Sequence, residues 1–207
     1  SRAVWSLAVL PDDKAGATES SMSAAGPPQG AKAPSGGSEP REAGSVGARV
    51  FMRSLATRDT GSEVSAALPD VIAACKAAGF DLVIVETSGI GQGDAAVVPL
   101  VDVPMYVMTP EYGAASQLEK IDMLDFAEFV AINKFDRKGA ADALRDVAKQ
   151  VQRNKEAFKQ RPDEMPVFGT MAARFNDDGV TALYQALKPR LAALGLALKD
   201  GRLPVVN

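Results

Sequence analysis

The 207-residue chain has no histidine, one cysteine and one tryptophan. Without an imidazole it cannot build a Ser-His-Asp triad or a His-ligated metal site. Its single thiol, Cys75, cannot close an internal disulfide, and inside an expected helix it reads as a small buried hydrophobe. Positive charge is not in excess: the formal net charge is -3 and the isoelectric point is near 5.1. Nucleic-acid binding needs a basic stripe, which is lacking, so Arg137-Lys138 and the basic residues within 153–159 read as solvated helix faces. No apolar run approaches the roughly 20 residues of a membrane span. The first residues also lack the charged-then-apolar pattern of a secretion signal, so the expectation is a cytoplasmic protein with no nucleic-acid or membrane partner.

What is there suffices for one folded domain with a tail, since 46% of residues are hydrophobic. Residues 15–47 are rich in Gly, Pro, Ser and Ala without apolar periodicity, so residues 1–48 read as a low-complexity, disordered segment. Within it, the patch Val4-Trp5-Ser6-Leu7-Ala8-Val9-Leu10 is able to add a strand. From residue 49 to 196 helical and extended patterns alternate, which predicts an α/β fold. Residues 69–78 read as a helix with Pro at its start and Gly79 just past its end. Strands are expected from residue 81, over 103–108, over 130–133 and over 165–169, with helical stretches over 111–126 and 140–158. In the second of these, Leu144, Val147, Val151 and Phe158 fall near one face. Asp177-Asp178-Gly179 opens a closing helix carrying Val180, Leu183, Leu187, Leu191 and Leu194, which Pro189 should bend. Residues 197–207, with Gly201 and Pro204, read as a linker.

Two segments carry chemistry. The apolar run Phe129-Val130-Ala131-Ile132 ends in Asn133-Lys134-Phe135-Asp136, at the carboxyl end of a buried strand, where ligands of open α/β sheets collect. There Asp136 can accept paired hydrogen bonds from the N1 and N2 donors of guanine, a pair that adenine does not offer. The Lys134 stem can lie over the base, and the Asn133 amide can tie neighbouring loops together. The competing reading is a polar strand-to-helix loop. Upstream, Asp81-Leu82-Val83-Ile84-Val85-Glu86-Thr87-Ser88-Gly89-Ile90-Gly91-Gln92-Gly93-Asp94 is an apolar run ending in a carboxylate and a glycine-rich loop. Glu86 stands where nucleotide hydrolases hold Mg²⁺, Gly89 can offer its N–H to a terminal phosphate, and Gln92 can orient water. The competing reading of Glu86 is the first solvated residue after a core strand.

Several words of the sequence, in order, resemble one family. They are Val50-Phe51-Met52-Arg53-Ser54-Leu55-Ala56-Thr57-Arg58, the Glu86 to Gln92 loop, Asn133 to Asp136, and Phe168-Gly169-Thr170-Met171-Ala172-Ala173. From residue 49 to 207 the chain resembles the GTPase chaperone domain associated with adenosylcobalamin-dependent acyl-CoA mutases, in particular the version fused inside isobutyryl-CoA mutase, itself an isomerase. The resemblance implies a P-loop NTPase-like, mostly parallel sheet flanked by helices. It also implies a homodimer that binds GTP or GDP with Mg²⁺ and gates cobalamin loading or protection of a B12-dependent acyl-CoA mutase. By the same resemblance Glu86 belongs to the Mg²⁺ and switch site, with Gly89 and Gln92 in its catalytic loop. Asn133, Lys134 and Asp136 read guanine, Thr170, Met171 and Ala172 back the base, and Arg53 and Arg58 belong to a switch-like segment.

One departure stands against the match. The family begins with a Gly-x-x-x-x-Gly-Lys-Ser/Thr loop whose amides and Lys hold the phosphates, and these 207 residues contain no such motif. The nearest stretch, Gly26-Pro27-Pro28-Gln29-Gly30-Ala31-Lys32-Ala33, lacks the second Gly beside the Lys and the hydroxyl after it, and its prolines remove N–H donors. The phosphate-loop part is therefore expected to be missing or degenerate. The Asp-x-His-x-x-Gly signature with which mutases hold cobalamin is impossible without histidine, so cobalamin is expected only through the partner mutase. Two functions remain: a GTPase hydrolysing the γ-phosphate, or a non-hydrolysing remnant that serves as a protein-interaction module.

Overall fold

The computed structural model describes residues 3–9, 50–55, 64–87 and 95–198. The expectations for residues 15–47, Arg58 and the terminal linker from residue 199 fall outside these. The chain divides into two compact units, Ser1–Asp12 with Ser54–Asn207, and Asp13–Arg53. Of the second unit, residues 50–53 are described, as irregular exposed chain that includes Arg53.

In the first unit, the apolar runs become strands. β2 (Leu82–Thr87), β3 (Val103–Met108), β4 (Phe129–Asn133) and β5 (Val167–Thr170) lie where continuous hydrophobicity places them, and β1 (Ala3–Val9) forms from the early apolar patch. The sheet order is β2-β1-β3-β4-β5. β3, β4 and β5 are parallel, whereas β1 pairs antiparallel with both β2 and β3. Since β1 opposes both neighbours, β2 points the same way as β3, β4 and β5. The carboxyl ends of those four strands share one edge of the sheet, and the carboxyl end of β1 points to the other.

β3 and β4 are buried along nearly their whole length, as parallel strands covered on both faces must be. On one face Tyr106, Met108, Val130 and Ile132 pack in a cluster with Ile72 of α1 (Leu68–Ala77), with Leu118 of α2 (Ala115–Leu118), with Met123 and Leu124 of α3 (Met123–Phe126), and with Val147 and Val151 of α4 (Ala140–Asn154). On the other, Val103, Met105 and Phe129 pack against Leu187 and Leu191 of α5 (Asp178–Ala193), which runs through Pro189. Val180, expected on this apolar face, is 39% exposed instead, as is Tyr184 at 41%, one turn further along. This is the layered α/β, P-loop NTPase-like architecture predicted above. Among the described residues no helix is long and apolar enough to cross a membrane.

Two helical expectations need correction. Residues 111–126 do not form one helix: a 3₁₀ turn at Pro110–Tyr112 is followed by α2 and α3, with Ala114 extended between (ψ 130). The break lets Gly113 approach α4 so closely that an added Cβ would stand 2.4 Å from the Ala143 Cβ, a contact with no local sequence signal. The second long helix stops at Asn154, before Phe158, which is 70% exposed. There Glu156 takes a left-handed φ of 51°, its N–H bonds the Arg153 carbonyl at 3.0 Å, and the Ala157 N–H bonds that of Gln152 at 2.9 Å. This is a Schellman motif. The same pair of bonds closes α1 at Gly79 (φ 71) and α5 at Gly195 (φ 96). A left-handed L-residue costs roughly 1–2 kcal/mol. Burying Val147 or Val151 contributes about 1.5–3 kcal/mol each, so packing of α4 outweighs the strain at its end.

A clamp holds the edge of the sheet remote from Asn133 and Thr170. Arg190 of α5 donates Nε and Nη2 to the two Glu128 carboxylate oxygens at 2.6 and 3.0 Å, and Nη2 also reaches the Asp102 carbonyl at 3.3 Å. Glu128 and Asp102 each immediately precede a strand, β4 and β3. The exposed Lys155 lies 3.5 Å from the Glu128 carbonyl, and desolvation of its ammonium pushes its pKa down.

If Glu156 is tolerated only because α4 packs well, glycine at this position should relieve the strain. Glu156→Gly is expected to raise stability by about 0.5–1 kcal/mol, read as a higher urea midpoint with an unchanged slope. A midpoint at or below that of the parent would show that the left-handed residue carries no strain.

Candidate functional site

β4 and β5 end side by side. Asn133 is the register partner of Thr170, so the loops that follow the two strands leave the sheet together. The first loop carries Asn133, Lys134 and Asp136, and the second carries Thr170, Met171 and Ala172; of these six residues that the sequence proposes for base recognition, Asn133, Thr170 and Ala172 are joined by pairing or hydrogen bond, and Lys134, Asp136 and Met171 follow along the same two loops. A side chain bonds them directly: Asn133 Oδ1 accepts the Ala172 N–H at 3.1 Å, so the acceptor end of that amide ties the two loops. The Phe135 N–H bonds the Thr170 carbonyl at 3.1 Å. Lys134 and Asp136 are exposed at the surface of this junction, while Thr170 is buried.

Lys134 takes φ 59, the left-handed region that non-glycine residues seldom occupy. The turn is fixed from both sides, by the bond from Phe135 and by the Arg137 N–H to the Lys134 carbonyl at 3.0 Å. The Phe135 ring lies against Gly169, where an added Cβ would meet ring carbons at 2.5 Å. The glycine of β5 thus makes room for the residue between Lys134 and Asp136.

Two further residues brace the loops, and neither was singled out from sequence for this role. Arg137, directly after Asp136, pairs through Nη1 with Glu111 Oε1, joining the loop after β4 to the one after β3. The Glu111 carboxyl is held down at about 2 by the Thr109 side-chain hydrogen bond first, then by a bond to its own backbone and by Arg137. Asp177, expected only to open the closing helix, is 5% exposed, and its Oδ2 accepts both the Val180 N–H at 2.9 Å and the Met171 N–H at 3.1 Å. The Asp at the helix cap was legible. Its reach back to residue 171 was not.

Glu86 is exposed on β2. It shares the carboxyl edge but not the row of the base loops: it aligns through Trp5 with Met105 and hence with Phe129, four residues before Asn133. That stagger is about 13 Å along the strand direction. Its neighbour Thr87 is 5% exposed, and among the described residues the Thr87 hydroxyl has no hydrogen-bond partner. Gly89 and Gln92 fall outside the described residues. A cavity of about 360 Å³ lined by Leu144, Arg145, Lys149 and Pro162 lies on α4 and shares no residue with these loops.

Comparison with known proteins matches the same stretch. The family model described as Methylmalonyl Co-A mutase-associated GTPase MeaB matches residues 41–200. The chain is similar to the fused isobutyryl-CoA mutase of Cupriavidus metallidurans, 76% identical over 155 residues, which are 75% of this chain and 14% of that protein. The fused isobutyryl-CoA mutase of Nocardia farcinica is 68% identical over 161 residues, 78% of this chain and 15% of the relative. The mitochondrial methylmalonic aciduria type A homolog of Mus musculus is 26% identical over 139 residues, 67% of this chain and 33% of the relative. The chain thus spans about one seventh of the length of the two mutases it matches.

The brace from Glu111 to Arg137 has a pH signature. A carboxyl depressed below its unfolded value of 4.5 adds stability that is present above that pH and is lost as pH falls through the folded value of about 2. A carbon-detected NMR titration should place the Glu111 midpoint well below those of the other exposed carboxylates. In Arg137→Ala it should rise only in part, because the Thr109 bond remains. A midpoint in the ordinary glutamate range in the parent protein would remove the brace.

Proposed function

Because the chain belongs to the family of methylmalonyl-CoA mutase-associated GTPases, we propose that it binds guanine nucleotides at the joined loops after β4 and β5 and acts as the nucleotide-binding chaperone segment of a B12-dependent acyl-CoA mutase. The observation that carries this reading is the bond from the Ala172 N–H to Asn133 Oδ1, which makes one surface of the two loops and leaves Asp136 exposed beside it. On that surface Asp136 accepts the N1 and N2 protons of guanine, Lys134 covers the base, and Thr170 to Ala172 back it. The names of the fused relatives support a mutase as partner, and the absence of histidine supports cobalamin being held by that partner. Homodimeric assembly belongs to the same reading.

Glu86 is the carboxylate we assign to Mg²⁺. Mg²⁺ typically binds one or two carboxylates and takes its other ligands from phosphate and water, so a lone exposed carboxylate fits it. When bound, the ion neutralises charge developing on the phosphates. In this reading Gly89 and Gln92 serve the terminal phosphate and the attacking water.

A specific observation favours the non-hydrolysing alternative for the chain as it stands. The strand between β2 and β3 is β1, antiparallel to both, so its carboxyl end lies at the edge of the sheet remote from Asn133. With no Gly-x-x-x-x-Gly-Lys-Ser/Thr motif in its 207 residues, we read the chain as a segment that recognises guanine and lacks the phosphate cradle. It is expected to bind GTP weakly and to hydrolyse none above background.

Competition of GDP, ADP and XDP against a fluorescent guanine nucleotide tests the base assignment. The parent should prefer GDP to ADP. Asp136→Asn should abolish that preference, because a donor then faces a donor, at a cost of about 1–3 kcal/mol. Equal affinity for GDP and ADP in the parent would make the loop merely polar, and measurable GTP turnover would overturn the non-hydrolysing reading.

A further inference from the structure

Asp177 sits where helix capping and base recognition meet. Its Oδ2 accepts two backbone protons from different places, Val180 N–H in the first turn of α5 at 2.9 Å and Met171 N–H in the base-backing loop at 3.1 Å. The residue is 5% exposed and is itself seated by Thr181, whose N–H and Oγ1 both bond the Asp177 carbonyl at 3.0 Å. Around it there is no slack. A Cβ at Gly179 would stand 1.7 Å from the Gly169 carbonyl oxygen and 3.1 Å from Asp177 Oδ2. The next amide along the loop, Ala172 N–H, is held by Asn133 Oδ1. Two successive amides of the base-backing loop are therefore pinned, one from each side, by Asn133 of the guanine motif and by Asp177 of the helix cap.

We propose that Asp177 is a positioning residue for guanine: it touches no nucleotide, but by holding Met171 it fixes the loop against which the base lies. This rests on the functional reading above. A helix cap alone asks only for an oxygen that reaches the N2 or N3 amide, which Ser supplies about as well as Asp. The shorter Ser hydroxyl keeps that bond and cannot also span to residue 171. Asn, in contrast, keeps an oxygen at the position of Oδ2 and so can make both bonds.

The full chain and its Asp177→Ser, Asp177→Asn and Asp177→Ala variants separate the two roles by melting temperature, amide exchange of Met171 by NMR without nucleotide, and GDP and ADP competition. The expected result is that Asp177→Ser melts close to the parent, loses Met171 protection and weakens GDP about tenfold, the loss of one hydrogen bond to a charged group. Asp177→Asn should recover protection and affinity together, and Asp177→Ala should lose stability as well. GDP affinity in Asp177→Ser equal to that of the parent overturns the proposal and leaves the functional reading standing. So does melting of Asp177→Ser as low as that of Asp177→Ala, since capping would then account for the loss. A parent chain that binds GDP and ADP alike overturns the functional reading itself, whatever the variants do.

Discussion

The parallel pairing of β4 with β5 is the constraint on which the site depends. It sets Asn133 opposite Thr170 at one edge of the sheet. Once those residues are neighbours, one side-chain amide is enough to join the two loops, and the exposed groups of both face the same space. A shift of one residue in this register would turn every side chain of β5 to the wrong face. It would also part Asn133 from Ala172. Burial guards against such a shift, since Val130 and Ile132 are fully enclosed on one side of β4 while Phe129 packs on the other.

Around that pairing the loops are held by many modest interactions rather than one strong one. The Glu111 to Arg137 pair is about half exposed at both partners, the range in which ion pairs contribute little to global stability. Its value is geometric, because it restrains the residue next to Asp136. The left-handed Lys134 argues the same way: a conformation of this kind persists only where its surroundings over-determine it. The backbone bonds of Phe135 and Arg137 and the ring resting on Gly169 supply that surplus.

Much of this was legible in the sequence. The buried strands announce themselves by continuous hydrophobicity, and Gly79 and Asp177 mark helix ends by chemistry that acts over a few residues. What was not legible depends on distant partners. The break ahead of α2 lies where Gly113 meets Ala143, and the end of α4 falls at a left-handed glutamate where glycine is the usual residue. Apolar character placed a strand near the start of the chain but not its direction, which hydrogen-bonded neighbours decide. At the site, Asn133, Lys134 and Asp136 stand out as a contiguous word, whereas Arg137 finds Glu111 across 26 positions and Met171 finds Asp177 only after the chain has turned.

The Arg190 clamp acquires a second meaning beside the Asp177 cap. α5 is fastened at its first turn to the loop after β5 and near its last to the segments entering β3 and β4. Its 16 residues make a rod of about 24 Å, stiff on the scale of a loop motion. A displacement of residues 170–172 cannot be absorbed along such a rod. It must appear as a tilt about the Arg190 pivot, carrying the exposed Val180 and Tyr184 with it. Measured from that pivot the cap is the far end of the rod, with Val180 and Tyr184 between the two, so the outer surface follows the loop in the same direction and by a smaller amount.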